Sequence, residues 1–135
     1  MGKRVLVAED FDDVRKMMKV FFEHDGFEVL EAADGYEAVQ KAVSEQPDLI
    51  IMDIAMPVMD GIQATTAIRQ HEHMSEVPIL AVTAYADFYY DRALDVGCTD
   101  VIAKPVDLAR LQPMLTDYSC HRFTFIRVDS IRKVF

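Results

Sequence analysis

Residues 49–53 read Leu-Ile-Ile-Met-Asp, so four large apolar residues run directly into a carboxylate. A continuous apolar run of this length is typical of a strand buried on both faces, as in a parallel sheet. Residues 5–8 read Val-Leu-Val-Ala and run into Glu9 and Asp10 in the same way. Ligands bind at the carboxyl ends of strands in open α/β sheets. If the two strands are neighbours, three carboxylates meet, and because like charges repel, we expect a hard divalent cation such as Mg2+ among them.

Composition limits the classes of protein that the chain can belong to. Its 135 residues fit one domain, and a hydrophobic fraction of 51% disfavours overall disorder. The net charge of −9 disfavours non-specific binding to nucleic acid. Cys98 and Cys120 match no metal-binding spacing, and no apolar segment is long enough to span a membrane. We therefore expect a cytoplasmic protein with neither nucleic acid nor membrane as a partner.

The chain alternates between strand-like and helix-like segments. Strands are expected at residues 4–8, 27–32, 49–53, 78–82 and 101–103, and helices at 12–25, 35–45, 61–71, 87–96 and about 107–116. Gly26 and Gly97 end two of these helices, and Asp60 is a candidate N-cap for the third. Gly61 is interpreted as a structural residue that relieves backbone strain after a loop. Five βα units predict an α/β fold with a doubly wound, five-stranded parallel sheet and helices on both faces.

Two further polar residues follow predicted strands. Thr83 comes after the strand at 78–82, and Lys104 comes after the strand at 101–103. Together with the acids, they place carboxylates, one hydroxyl and one ammonium at the same edge of the sheet. That combination suits a site that holds a phosphoryl group. Asp53 is the best candidate nucleophile, because carboxylates form acyl phosphates.

Four motifs in this order resemble those of a known family. They are Val-Leu-Val-Ala-Glu-Asp at 5–10, Asp-Leu-Ile-Ile-Met-Asp-Ile-Ala-Met-Pro-Val-Met-Asp-Gly at 48–61, Thr83-Ala84 and Lys104-Pro105. From residue 3 to about 116 the chain resembles the receiver domain of two-component response regulators, in the CheY-like superfamily. The resemblance implies a flavodoxin-like (βα)5 fold and a receiver domain over 1–117. Residues 118–135 form a C-terminal tail of unknown role.

The resemblance also implies a phosphoacceptor and a magnesium site. Asp53 would accept a phosphoryl group from a histidine kinase or a histidine phosphotransfer protein. Asp10 and Asp53 would bind Mg2+ directly, Glu9 would bind it through water, and the backbone carbonyl of Ala55 would complete the protein ligands. The protein would then be a phosphoacceptor switch rather than an enzyme, catalysing only its own phosphoryl transfer and dephosphorylation.

Thr83 and Lys104 would carry the response to phosphorylation. By the same resemblance, Thr83 moves toward the phosphoryl oxygens, Lys104 pairs with them, and the bond from Lys104 to Pro105 is cis. The face formed by the last two βα units would then contact an unknown downstream protein. Val101 departs from the family, which usually has an aromatic residue at this position, so a ring-rotation switch there is not expected.

Ala55 and Tyr85 occupy positions that flank the approach of water to the phosphoryl group in the family. Neither supplies an acid or an amide, and a tyrosine ring can cover the entrance, so we expect slow hydrolysis. The alternative is that Tyr85 points into solvent and Ala55 leaves the site open, so that hydrolysis is fast. Four aromatic residues crowd positions 85–90. Either some of them are exposed as a partner surface, or they pack against neighbouring helices.

Several other interpretations stay open. One alternative is the receiver of a larger regulator or hybrid kinase, separated from its output domain. An aspartate-nucleophile phosphatase of the haloacid dehalogenase class would need an acid where Ala55 stands. A flavodoxin-like electron carrier would need a phosphate-binding loop where residues 9–13 are mostly acidic. Residues 122–128 resemble a strand that covers an edge, pairs with a second copy in a homodimer, or is disordered.

Overall fold

The computed structural model describes residues 3–109 and 111 of the chain. Its strands are β1 (Arg4–Ala8), β2 (Glu28–Ala32), β3 (Leu49–Asp53), β4 (Ile79–Thr83) and β5 (Asp100–Ala103). Its helices are α1 (Asp12–His24), α2 (Gly35–Glu45), α3 (Gly61–Arg69) and α4 (Ala86–Val96), with a 3-10 turn at Glu72–Met74. The predicted elements up to residue 103 are confirmed, with ends that differ by two residues at most.

The fifth predicted helix begins within the described residues. Leu111 N donates to Asp107 O over 3.0 Å, which closes one helical turn. The rest of the helix expected at 107–116 lies outside the described residues, and so does the tail at 118–135. Among the residues that are described, the helices are too short or too polar to cross a bilayer.

All strand pairs in the sheet are parallel, and the strand order is β2-β1-β3-β4-β5. The chain leaves β1 toward β2 on one side and then crosses to β3 on the other side, so the direction of winding reverses between β1 and β3. Ligands bind at such a switch point. Ala8 pairs with Met52 in the register. The residues that follow these two, Glu9 and Asp53, therefore come side by side, as expected from the sequence.

Two cores cover the two faces of the sheet. On one face, Leu6, Ile50 and other buried strand residues pack against α2, α3 and α4. On the opposite face, alternate residues such as Val7 and Ile51 pack against Met18 and Phe22 of α1 and against Leu111. Alternation sends successive side chains to opposite faces. Strands with apolar residues at every position therefore need helices on both sides, and the doubly wound fold is confirmed.

The start of α3 is fixed by a capping box. Asp60 accepts a hydrogen bond from Gln63 N at 2.8 Å, and the Gln63 side chain accepts one from Asp60 N at 3.0 Å. Such a cap stabilises a helix by about 1 kcal/mol. Asp60 is therefore the N-cap that the sequence predicts. Because α3 begins eight residues after Asp53, the cap fixes the far end of the loop that follows β3.

Candidate functional site

Three carboxylates meet where β1 and β3 end. One oxygen atom each from Glu9, Asp10 and Asp53 lies within 4.8 Å of the other two. Glu9 is 2% exposed and Asp53 is 3% exposed, whereas Asp10 is half-buried. Burial weakens the solvent screening of like charges, so the cluster is electrostatically unfavourable as it stands. A cation that is ligated by oxygen atoms would relieve the repulsion.

The two oxygen atoms of Asp53 differ in their surroundings. Asp53 Oδ2 accepts a hydrogen bond from Lys104 Nζ at 3.2 Å. Asp53 Oδ1 is buried and has no hydrogen-bond partner among the described residues. Burial, followed by the charge of Glu9, raises the pKa of Asp53 from 3.8 to about 7, although Lys104 acts in the opposite direction. A buried oxygen without a hydrogen-bond partner, in a cluster of acids, fits a binding site for a cation or a phosphoryl group.

Lys104 joins the cluster from β5, two strands away from β3. Its Nζ lies 3.2 Å from Asp53 Oδ2 and 3.5 Å from Glu9 Oε1. Burial lowers the pKa of the Lys104 ammonium, but the charges of Asp53 and Glu9 outweigh burial and leave the pKa raised. Lys104 is therefore a permanent cation at the site. The peptide bond from Lys104 to Pro105 is cis, as the resemblance implies.

Hydrogen bonds from backbone N–H groups fix the orientations of the Glu9 and Thr83 side chains. Glu9 Oε2 accepts a hydrogen bond from Phe11 N at 3.1 Å, which turns the other oxygen toward Lys104. Thr83 ends β4 and is buried, and its Oγ1 accepts from Tyr85 N at 3.0 Å. The Thr83 backbone carbonyl also accepts from Lys104 N at 2.9 Å. The ends of β4 and β5 are thereby tied together beside the carboxylates.

Ala55 and Gly61 belong to the loop that follows Asp53. Ala55 is exposed two residues after Asp53, and the role of its carbonyl stays a prediction. Gly61 does not relieve strain through an unusual backbone conformation, so that interpretation is wrong. A Cβ at Gly61 would lie 2.3 Å from the Asp53 carbonyl oxygen, so glycine permits close packing of α3 against β3. The left-handed residue in this loop is Val58, with φ 70°.

The aromatic residues after Thr83 are divided between solvent and core. Tyr85 is 69% exposed, and Phe88 is exposed as well. Tyr90 is buried in the core that contains α4, and Val101 packs into the same core. The exposed Tyr85 ring matches the alternative in which it lies in solvent. Exposure of Tyr85 and Phe88 also matches the expectation that some of these rings are exposed, while their role as a partner surface stays a prediction.

Sequence reasoning missed Arg15, which lies one turn into α1. This arginine is 8% exposed, and it donates to the Glu9 carbonyl oxygen at 2.8 Å. It also donates to Asp12 Oδ1 at 2.6 Å and to Glu31 Oε1 at 3.1 Å. An arginine on an amphipathic helix is ordinarily exposed, so the sequence pattern does not predict that this one is buried. The acids before and after it in the sequence were the only indication of charged partners.

Comparison with known proteins agrees with this geometry. Residues 5–116 match the family described as response regulator receiver domain. The chain is 37% identical over 107 residues to the alkaline phosphatase synthesis transcriptional regulatory protein PhoP of Bacillus subtilis, which covers 78% of this chain and 43% of PhoP. It is 32% identical over 119 residues to the polar-differentiation response regulator DivK of Brucella ovis, which covers 87% of this chain and 97% of DivK.

Solved structures show the same relationship. The receiver domain of the sensor histidine kinase PA1611 from Pseudomonas aeruginosa superposes with a TM-score of 0.81 at 34% identity, covering 88% of this chain and 98% of that chain. That structure has a magnesium ion coordinated in its active site cleft. The chemotaxis response regulator CheY4 of Vibrio cholerae superposes with a TM-score of 0.80 at 32% identity, covering 86% of this chain and 98% of that chain.

The relatives differ in length. The chain spans 43% of PhoP and 23% of the regulatory protein AtoC of Escherichia coli, which is 39% identical to it over 109 residues, or 80% of this chain. It spans nearly all of DivK.

Three findings indicate the same family. They are the family match over residues 5–116, the parallel sheet with strand order β2-β1-β3-β4-β5, and the acid cluster at the switch point of that sheet. The chain therefore belongs to the response regulator receiver domain family.

Proposed function

We propose that this chain is a phosphorylation-controlled receiver of a two-component phosphorelay. Asp53 accepts a phosphoryl group from a histidine kinase or a histidine phosphotransfer protein, and another protein binds the altered surface. The observation that carries this proposal is the environment of the two carboxylate oxygens of Asp53. One of its buried oxygens is held by Lys104, and the other has no hydrogen-bond partner among the described residues.

Mg2+ is the cofactor that we propose for this site. Glu9, Asp10, Asp53 and the carbonyl of Ala55 would hold it, because hard cations prefer oxygen ligands. The unpartnered Asp53 Oδ1 and the spacing of the three carboxylates fit such an ion. When it is bound, the ion neutralises charge on the phosphoryl oxygens. PA1611, with magnesium in the corresponding cleft, supports the same assignment.

The residues of the chain account for the transfer step. An oxygen of the Asp53 carboxylate attacks phosphorus while the bond from phosphorus to the donor histidine nitrogen breaks, and that nitrogen keeps the electron pair. The Lys104 ammonium, already 3.2 Å from Asp53 Oδ2, pairs with a phosphoryl oxygen. Thr83 Oγ1 accepts from Tyr85 N, which leaves its own O–H to donate to a second phosphoryl oxygen.

Uptake of a phosphoryl group from a small donor tests this function. Incubation with acetyl phosphate and Mg2+ should add one phosphoryl group per chain, because the site supplies the nucleophile and needs only the cation. Replacing Mg2+ with a chelator should reduce uptake to background. Intact-mass spectrometry measures both. Equal uptake with and without Mg2+ would refute the role of the acid cluster.

Lys104→Ala should separate phosphorylation from signalling. The variant should still take up the phosphoryl group, because the Asp53 nucleophile and the acids remain. Phosphorylation should no longer strengthen partner binding, because no ammonium holds the phosphoryl oxygens. A pull-down with phosphorylated and unphosphorylated protein measures the difference. Lys3→Ala is the matched control, since Lys3 is exposed and precedes β1, at the opposite end of the sheet from the acid cluster. Phosphorylation-dependent binding that survives in Lys104→Ala would exclude this role.

We propose that the chain catalyses hydrolysis of its own acyl phosphate. The positioning of the attacking water molecule should limit the rate of this dephosphorylation. Ala55 cannot orient a water molecule, so Ala55→Asn should hasten loss of the phosphoryl group by about tenfold, or about 1.4 kcal/mol in the barrier. Because the Tyr85 side chain lies largely in solvent, Tyr85→Ala should have a smaller effect. Decay is followed after the donor is removed. Slower decay in Ala55→Asn would contradict this view of the entrance.

Two arrangements of the whole protein fit this function. DivK, of which the chain spans 97%, supports a receiver that acts alone, with an unknown downstream protein as its partner. PhoP and AtoC, of which the chain spans 43% and 23%, support a receiver attached to a longer regulator. We propose a cytoplasmic protein with the receiver over residues 1–117, which is compatible with both arrangements. The homodimer stays a prediction, since the tail at 118–135 lies outside the described residues. Family membership argues against the phosphatase and the electron carrier.

A further inference from the structure

Arg15 connects the loop that carries Glu9 and Asp10 to the elements beside it. The loop consists of residues 9–11, between β1 and α1. Arg15 Nη1 donates to the carbonyl oxygen of Glu9, and its other two nitrogens donate to Asp12 and Glu31. One guanidinium therefore joins the loop, the first turn of α1 and the edge strand β2. This planar group with five donors is suited to hold several acceptors in fixed directions.

The bond to the Glu9 carbonyl matters because it fixes a peptide unit between two acids. That carbonyl belongs to the peptide bond from Glu9 to Asp10, so its direction determines where the Asp10 side chain begins. Repulsion among the three carboxylates favours any rotation that separates them. A buried hydrogen bond from a charged donor, 2.8 Å long, opposes such a rotation.

We propose that Arg15 is a positioning residue for the cation site, and that it acts by holding the peptide between Glu9 and Asp10. This inference rests on the proposed function, since it assumes that Glu9 and Asp10 take part in binding Mg2+. Arg15 does not touch the ion or the phosphoryl group. It keeps the two carboxylates close to Asp53 before the ion arrives.

Electrostatics alone makes the opposite prediction, and this gives the inference a clear test. A guanidinium near a cation site repels the cation, so if charge were all that mattered, removing Arg15 would tighten Mg2+ binding. If Arg15 positions the acids, removing it weakens binding. The sign of the change therefore separates the two effects.

The experiment is a calorimetric titration of the full chain with Mg2+, without any phosphodonor. Arg15→Met and Arg15→Lys should each raise the Kd by about tenfold, the usual effect of losing a group that orients a metal ligand. Lysine keeps the charge, but its single nitrogen cannot replace the three guanidinium nitrogens that reach three separate acceptors, so both variants should weaken binding. Titrations are made well below each variant's melting temperature.

Arg69→Met is the matched control. Arg69 is a second partly buried arginine, and its guanidinium donates to the carbonyl oxygens of Gly97 and Met74. Its loss should lower the melting temperature while leaving the Kd for Mg2+ within about twofold of the parent, because these bonds lie outside the acid cluster. An effect of Arg15 that came only from lower stability would appear in Arg69→Met as well.

The outcomes separate this inference from the proposed function. A parent that binds no Mg2+ would overturn both. A parent that binds Mg2+ while both Arg15 variants bind it equally or more tightly would overturn only the positioning role. An equal loss of affinity in Arg69→Met would also overturn that role. If Arg15→Met does not fold, Arg15→Lys gives the same decision on its own.

Discussion

Asp53→Asn should take up no phosphoryl group from acetyl phosphate and Mg2+. The amide has nearly the same shape as the carboxylate but no anionic oxygen to attack phosphorus. The fold should be kept, because the change removes a buried charge rather than volume. The raised pKa of Asp53, about 7, means that the folded state binds a proton more tightly than the unfolded chain does. Ionised Asp53 therefore destabilises the fold at neutral pH, and without Mg2+ the variant should be at least as stable as the parent.

The sign of this pH effect gives a second readout. In the parent without Mg2+, protonation of Asp53 should raise the free energy of unfolding as the pH falls from 7 toward 4. Asp53→Asn should lack this pH-dependent gain. Asp48→Asn is the matched control. Asp48 lies just before the same strand, where its Oδ2 accepts from Arg4 N at 2.8 Å, and its loss should leave uptake unchanged. Uptake by Asp53→Asn at another residue would exclude Asp53 as the phosphoacceptor.

Asp10→Asn should abolish Mg2+ binding without lowering the stability of the metal-free protein. The parent should gain about 2.7 kcal/mol of stability at a Mg2+ concentration one hundred times its Kd, and the variant should gain nothing. Without Mg2+, the variant should be more stable by on the order of 1 kcal/mol, because one of three carboxylates within 4.8 Å no longer repels the others. Thermal melts with and without Mg2+ measure both effects.

Asp13→Asn is the control for the loss of one negative charge. Asp13 is exposed in the first turn of α1, three residues after Asp10. Its neutralisation should leave the stabilisation by Mg2+ intact, because an exposed charge is screened by solvent. A normal Mg2+ response in Asp10→Asn, or an equal loss in both variants, would show that the ion binds elsewhere.

The strands were predictable because parallel sheets bury both of their faces. Every residue of β3 and of β4 is buried, and the apolar runs give their bounds almost directly. The weaker pattern at β2 also has a physical reason. This strand lies at the edge of the sheet and is only half-buried, so its sequence Glu-Val-Leu-Glu-Ala tolerates acids.

Most of the acid cluster was predictable for a geometric reason. The carboxyl ends of parallel strands meet at one edge of the sheet, so Glu9, Asp10 and Asp53 converge once β1 and β3 are neighbours. Lys104 is a harder case, because β4 separates its strand from β3. Its long side chain spans that distance and comes within 3.2 Å of Asp53.

The parts that sequence reasoning missed depend on contacts between distant or backbone groups. Glu31, one partner of Arg15, lies 16 residues away on β2, and another partner is a main-chain carbonyl with no signature in the sequence. The need for glycine at position 61 arises from the close approach of α3 to the carbonyl of Asp53. No local pattern encodes such an approach, so the sequence indicated a structural glycine for the wrong reason.

The identity of the phosphorylated residue is the most direct test of the proposed function. The unaltered chain is treated with acetyl phosphate and Mg2+ and then with borohydride, which reduces an acyl phosphate to the corresponding alcohol. Peptide mass spectrometry then locates the altered side chain. We predict a single reduced residue, Asp53, in Mg2+-treated samples and none without Mg2+. Modification of Glu9 or Asp10 with Asp53 unaltered, or no acyl phosphate anywhere, would contradict the assignment of Asp53 as the phosphoacceptor.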